Sequence, residues 1–210
     1  MDYSQLKHIE FRRKFWKLFG ADIFVTDPNT SAEVGFIHMK AWKLREDVRL
    51  FSDHTQQHEI MRIHARQIID ISATYDVIDS TSNQPVFAMR RKGLKSVFVR
   101  DHWMLLDNNG NPFGDLIETS SALAIARRWL EVLPYVGEII GLAFAFIPQT
   151  YSITLRQADG GSLLAGTIIH RRNPFIVKML LDTSAAQTQT HPFVTMAATG
   201  MLAVIDVAKN

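Results

Sequence analysis

The chain has no cysteine. That excludes a disulfide framework, thiol catalysis and every cysteine-ligated metal site, and it fits a reducing compartment. It has no apolar run that reaches the roughly 18 residues expected of a membrane-spanning helix. Its first nineteen residues, MDYSQLKHIEFRRKFWKLF, carry charges where a secretory signal needs an apolar core. Neither sign of charge dominates. Lys and Arg number 23, Asp and Glu 21, for a net charge of +2, which excludes a generally basic nucleic-acid binder and leaves room for local basic patches. Catalytic signatures are missing too: there is no G-x-S-x-G, P-loop, H-E-x-x-H or dinucleotide glycine fingerprint. The sequence therefore reads as non-enzymatic, with no cofactor.

What is present describes a globular protein of 210 residues, 47% hydrophobic and 21% charged. Its most unusual stretch is the last, PFVTMAATGMLAVIDVA, at residues 192–208. On a helical wheel its apolar side chains point in nearly every direction, and only Thr195, Thr199 and Asp206 form a thin polar seam. A helix apolar all round must be buried in protein or lipid. At 1.5 Å per residue this one spans roughly 24 Å, short of a bilayer's roughly 30 Å core. It is read as a helix running through the middle of a protein core.

Most of the preceding chain reads as strand. Four segments, FVTDPNTSAEVGFI, RLFSDHTQQHEIMRI, DVIDSTSNQPVFAM and MLLDNNGNPFGDLI, each run from apolar strand through a polar turn into apolar strand. Their turn aspartates, Asp27, Asp53, Asp79 and Asp107, recur at intervals of 26, 26 and 28 residues. Such a period marks a repeated supersecondary unit, and the turn chemistry makes that unit a β-hairpin. Asp suits the turn because its carboxylate accepts from backbone N–H groups just ahead of it. A fifth hairpin is read in YSITLRQ-ADGGS-LLAGTIIHRR, a strand in FIVKMLL, and a polar loop in LDTSAAQTQTH that leads to the final helix. KSVFVRDHWMLLD reads as strand from its β-branched and aromatic residues. Residues 5–19 read as an amphipathic helix with Arg13, Lys14 and Lys17 on one side and Gly20 as its stop. Residues 120–133, SSALAIARRWLEVL, read as a second extra helix opened by serine caps. IIGLAFAFI, residues 139–147, reads as a buried strand or short apolar segment. The organisation is one domain over 1–210, with a helix over 1–20, an insertion over 120–148 and a central helix over 192–208.

A series of Asp-turn hairpins closed by an all-round apolar C-terminal helix resembles the tubby C-terminal-like superfamily, which includes the LURP-one-related proteins and the phospholipid scramblases. The segment YDVIDSTSNQPVFAMRRKGLKSVFVRDHWMLLDNNGNPFGDLIE, with a basic strand end before an aromatic strand, carries the likeness most clearly. The resemblance covers residues 19–209, and the insertion departs from it. It implies a mainly β protein: a closed antiparallel barrel of about twelve strands around the hydrophobic C-terminal helix. Closure and strand number come from the resemblance alone; the residues themselves give hairpins around a buried helix. The acidic calcium segment and lipidated cysteines of scramblases have no counterpart here, since Asp182 is the single acid before the helix.

Arg90, Arg91, Lys92, Lys95 and Arg100, with Arg171 and Arg172, form the candidate phosphate site, because Arg offers bidentate contacts to phosphate and Lys a point charge. No aromatic platform interleaves with them, which argues against nucleic acid. Two metal readings are weaker. Asp53-His54-x₃-His58-Glu59 lies at a hairpin turn and lacks a third strong ligand. The loop from Asp107 to Glu118 carries Pro112 where a calcium loop needs Gly. Asp206, inside the apolar helix, reads as a structural acid at a barrel mouth. The expected function is a non-enzymatic, cytoplasmic binding module, peripheral to the membrane, whose partner is anionic membrane lipid or another protein. The alternatives are a scramblase-like lipid-handling protein and an enzyme with an unrecognised site.

Overall fold

The computed structural model describes residues 3–13, 21–39, 47–66, 73–92, 101–119, 148–171 and 178–209. After a 3₁₀ turn at Tyr3–Gln5 come twelve strands. They are β1 (His8–Arg13), β2 (Ala21–Thr26), β3 (Glu33–Met39), β4 (Asp47–Phe51), β5 (Glu59–Ala65) and β6 (Thr74–Asp79), then β7 (Gln84–Arg91), β8 (His102–Leu106), β9 (Pro112–Glu118), β10 (Gln149–Arg156), β11 (Ser162–Arg171) and β12 (Lys178–Asp182). Among the described residues one α-helix follows, α1 (Pro192–Lys209). Each strand pairs antiparallel with its sequence neighbours, and β1 pairs with β12, so the sheet closes into a twelve-stranded barrel without a free edge.

Alternation along each strand sends one set of side chains into the lumen. Phe11, Ile23, Val25, Ile37, Met89, Leu105 and Ile153 are fully buried and share one core with the helix residues Val194, Met196, Met201 and Val204. The helix contacts β5 and β11, which lie six strands apart on opposite sides of the ring, as well as β1 and β12. It therefore occupies the lumen, as its all-round apolar sequence requires. The two seam threonines are buried and return their hydroxyls to their own helix. Thr199 donates to the Thr195 carbonyl at 2.8 Å, and Thr195 to the Pro192 carbonyl at 3.1 Å. Gly200 lets the helix approach the wall: a Cβ there would stand 3.1 Å from Ile37 Cδ1.

The five predicted hairpins are all present, as β2–β3, β4–β5, β6–β7, β8–β9 and β10–β11. The helix predicted over residues 5–19 is corrected. Residues 8–13 are strand β1, because HIEFRR alternates and buries Ile9 and Phe11 in the lumen, and because β1 closes the barrel against β12. Tertiary pairing overrides local helical spacing here. Residues 14–19, the helix predicted over 120–133 and the segment 139–147 lie outside the described residues. Among the described residues no helix is long and apolar enough to cross a membrane.

Every hairpin turn holds one residue at positive φ: Ser31, Gln56, Asn83, Gly110 and Gly160. Two are glycine and one is Asn, the types that tolerate this region. Gln56, at φ 59°, does not tolerate it as cheaply. Gln56→Gly is expected to raise unfolding stability by up to about 1 kcal/mol, and Gly110→Ala, at φ 85°, to lower it by about 1–2 kcal/mol. Urea denaturation of the two variants beside the parent measures both, and opposite signs are the expected result.

Candidate functional site

With every neighbour antiparallel, the odd strands all run one way, and the two ends of the barrel differ in chemistry. At one end lie the tight turns that follow β2, β4, β6, β8 and β10, and the loop after β12. Six aspartates sit there, and each accepts a hydrogen bond from the backbone N–H two residues on. Asn29 donates to Asp27, Thr55 to Asp53, Thr81 to Asp79, Asn109 to Asp107, Gly161 to Asp159 and Ser184 to Asp182, all at 2.8–2.9 Å. The four repeated turn aspartates are thus structural caps, and the pattern extends to two more. The N–H of Asn29 holds the Asp27 carboxyl below the usual carboxylate range. The Thr55 hydroxyl and N–H do so for Asp53, the Thr81 N–H for Asp79, and the Asn111 N–H for Asp107. Burial pushes Asp182 up, but the Ser184 hydroxyl and N–H outweigh it and its carboxyl is also lowered.

The other end carries the C-termini of the odd strands and the N-termini of the even ones, and there the candidate cations are found. Arg90 points outward and its Nε donates to Thr74 Oγ1 at 3.0 Å. Arg91 faces the lumen mouth. It donates to Asp101 Oδ1 at 3.0 Å, and its guanidinium lies 5.7 Å from the centre of the Trp103 ring. Lys92 donates its backbone N–H to the His102 carbonyl. Arg171 ends β11, four strand positions from β7 and so roughly 19 Å around the wall. The structure places it at the same end of the barrel as Arg90–Lys92 but in a separate patch. Lys95, Arg100 and Arg172 lie outside the described residues.

Two cations that sequence reasoning passed over stand beside Arg171. Arg12 pairs with Lys178 across β1 and β12, and Lys178 pairs with Arg171 across β12 and β11. Met179 and Leu181 face the lumen, so Lys178 and its two register partners face outward. Three cations therefore stand side by side on neighbouring strands. The row continues around the same outer face as Phe24, Phe36 and Phe51 on β2, β3 and β4, and Phe24 meets Phe36 edge-on at 5.1 Å. Lys178 is ion-paired with Glu10. Among the described residues, Arg12 and Arg171 make no ion pair or side-chain hydrogen bond, and both are exposed. The signal was available in HIEFRR and KMLLD, whose alternation assigns Arg12 and Lys178 to the outer face. It is hidden if the first of these is read as helix.

The lumen at this basic end closes on a polar cluster. His170, 3% exposed, brings Nε2 to 3.3 Å from Asp206 Oδ2 of α1, and Gln149 donates to Glu118 Oε1 at 3.1 Å. Asp206 is thus tied to the wall at the barrel mouth, the structural position expected of it. The metal readings find no support. His54 is bound through its N–H and ring to Glu33, at 2.8 and 2.7 Å, and Asp107 is spent on its own turn. Among the described residues no group of three or more His, Asp or Glu side chains is arranged to hold a metal ion.

Compared with protein-family models and with curated proteins, the chain has no match.

The turn aspartates make stability depend on acid. Their folded pKa values lie below the unfolded value of about 3.9, so their contribution is present above that pH and is lost as pH falls through the folded values. Asp79→Asn and Asp107→Asn keep a turn-forming side chain and remove the titration. The double variant is expected to show a shallower loss of stability between about pH 4 and pH 2 than the parent, measured by urea midpoints across that range.

Proposed function

We propose that the protein is a non-enzymatic binding module whose basic end meets the anionic surface of a phospholipid membrane, on a barrel of the tubby C-terminal-like kind. The observation that carries this reading is the registered row Arg12–Lys178–Arg171. Like charges directly opposite one another on a sheet destabilise it, so three in a row with one carboxylate partner fit a surface that receives its counter-charge from outside. Arg12 and Arg171 can fork onto phosphate oxygens while Lys178 supplies a point charge. Phe24 next to Arg12 adds the aromatic neighbour that interfacial sites combine with basic residues. In sequence, the stretches that join strand ends at this end include KFWKLFG (14–20), KAWKLRE (40–46) and GLKSVFVR (93–100), again basic and aromatic together. On this reading the protein works at the cytoplasmic face, peripherally, and anionic lipid outranks a protein as its partner.

Each Lys or Arg near an anionic surface contributes about 1 kcal/mol, so removing three weakens binding by roughly 100-fold. The test is co-sedimentation with phosphatidylserine-containing and purely phosphatidylcholine vesicles, at about 0.1 M and 1 M salt, where the screening length falls from about 10 Å to 3 Å. The expected result is salt-sensitive binding to the anionic vesicles, lost in Arg12→Gln/Lys178→Gln/Arg171→Gln and reduced less by Arg90→Gln/Lys92→Gln. Absence of binding to either vesicle would overturn the lipid reading in favour of a protein partner.

A further inference from the structure

We infer that Asn109, at the tip of the β8–β9 turn, is a site of spontaneous deamidation that the Asp107 cap restrains. The co-reactant is water, and the products are aspartate and isoaspartate. The site lies at the turn end of the barrel and does not rest on the membrane reading. An asparagine deamidates when the backbone nitrogen of the next residue attacks its side-chain carbonyl carbon. The ring that forms has five members, so the two groups meet at a high effective concentration. Three conditions then favour one asparagine over another. The next residue must have an N–H, no Cβ should crowd that nitrogen, and the side-chain amide must be free to turn.

The loop Asp107–Asn111 carries three asparagines, and the structure separates them. Asn111 precedes Pro112, which has no N–H to attack with. Its side chain also donates to Asp107 Oδ2 at 3.2 Å. Asn108 is tied at both groups the reaction needs. Its Nδ2 donates to the Pro85 carbonyl at 3.0 Å, and the N–H of its successor donates to Asp107 Oδ1 at 2.9 Å. Asn109 precedes Gly110, which has no Cβ. Its own side-chain amide is exposed and, among the described residues, makes no hydrogen bond. The space beside Gly110 is open, since a Cβ there would meet no atom within 4 Å. Asn29 and Asn83, in two other turns, precede Thr30 and Gln84 and so lack the glycine. Asp159 does precede Gly160, but a carboxylate is a poorer electrophile than an amide, and this one is held by the Gly161 N–H at 2.8 Å.

One bond restrains the reaction. The Gly110 N–H donates to the Asp107 carbonyl at 2.9 Å, and the Asp107 carboxylate steadies that turn by accepting from the N–H groups of Asn109 and Asn111. The nitrogen attacks only while its bond is open. It then gives up its proton and bonds to Asn109 Cγ, and the side-chain nitrogen leaves as ammonia with that proton. Water adds to one carbonyl of the resulting succinimide and breaks its bond to nitrogen. Opening at Cγ leaves aspartate, and opening at the backbone carbonyl leaves isoaspartate, with the main chain one carbon longer. That carbon enters a turn in which the Asp107 N–H must reach the Asn111 carbonyl at 2.9 Å. Either product sets a new carboxylate beside Asp107 and takes the net charge from +2 to +1, since 23 positive groups then face 22 negative ones.

The test incubates the whole chain in warm, mildly alkaline buffer beside a synthetic peptide of residues 105–113. Peptide mapping by mass spectrometry follows each asparagine, and cation exchange follows the charge. Within the loop, Asn109 alone should convert, to isoaspartate and aspartate. In the folded chain it should convert about fivefold more slowly than in the peptide, the factor that one net backbone hydrogen bond implies. Asp107→Ala, which loosens the turn without touching the core, should convert about as fast as the peptide. Asn109→Gln, which would need a six-membered ring, should form no acidic species in the same time. The inference is overturned by an intact Asn109 long after the peptide has converted, by conversion at Asn108 or Asn111 instead, by Asp107→Ala reacting no faster than the parent, or by the same acidic species in Asn109→Gln.

Discussion

The lumen of the barrel and the C-terminal helix depend on each other. A ring of twelve strands is too wide for its inward side chains to fill alone; rings of eight strands are near the limit at which they do. Phe11, Ile37, Met89 and Ile153 reach 0–1% exposure in one core with Val194, Met196, Met201 and Val204. The helix in turn has no face that water would accept. Thr195 and Thr199, its seam, spend their hydroxyls on helix carbonyls and ask nothing of the wall. Neither part buries its apolar surface without the other. Gly200 sets the closeness of fit, since the wall at Ile37 leaves little room for a larger residue there.

That constraint leaves the two ends of the barrel free to differ. The turns at one end repeat one solution, an aspartate bonded two residues ahead and a residue in the left-handed region. These turns are short and self-satisfied. The strand ends at the other carry basic residues, some matched by acids, as Arg66 is by Asp76 and Arg91 by Asp101. Arg12 and Arg171 are exposed and flank Lys178, and they set the character of that face.

Much of this architecture was legible in the sequence because it repeats. The interval between Asp27, Asp53, Asp79 and Asp107 gave four hairpins, and the all-round apolar character of residues 192–208 placed the helix inside them. The first strand was hidden because HIEFRR sits between residues that also satisfy helical spacing. Only the distant partner β12 decides the matter, and a window of one or two turns does not contain it. The candidate site was legible in part for the same reason. Arg90, Arg91 and Lys92 are adjacent in sequence, so a reading along the chain groups them. Arg12, Lys178 and Arg171 are brought side by side by pairing across the closure of the ring, which no local pattern records. Burial also divides neighbours that look alike on paper: Arg90 points out to Thr74, while Arg91 lies inward against Trp103.

Closure by β1 and β12 has a consequence for how the molecule is made. β1 is complete at residue 13, but its partner does not begin until residue 178. At ribosomal rates of 5–20 residues per second, the growing sheet carries an unpaired edge at each side for on the order of ten seconds. During that time its lumen side chains lack the helix that covers them. Each of the five hairpins can form locally as it emerges, but the ring joins and fills only once the final segments are available. Between the emergence of β1 and that of β12 the nascent chain is thus an open, sticky sheet, and its escape from edge-to-edge association rests on β12 and α1 following promptly.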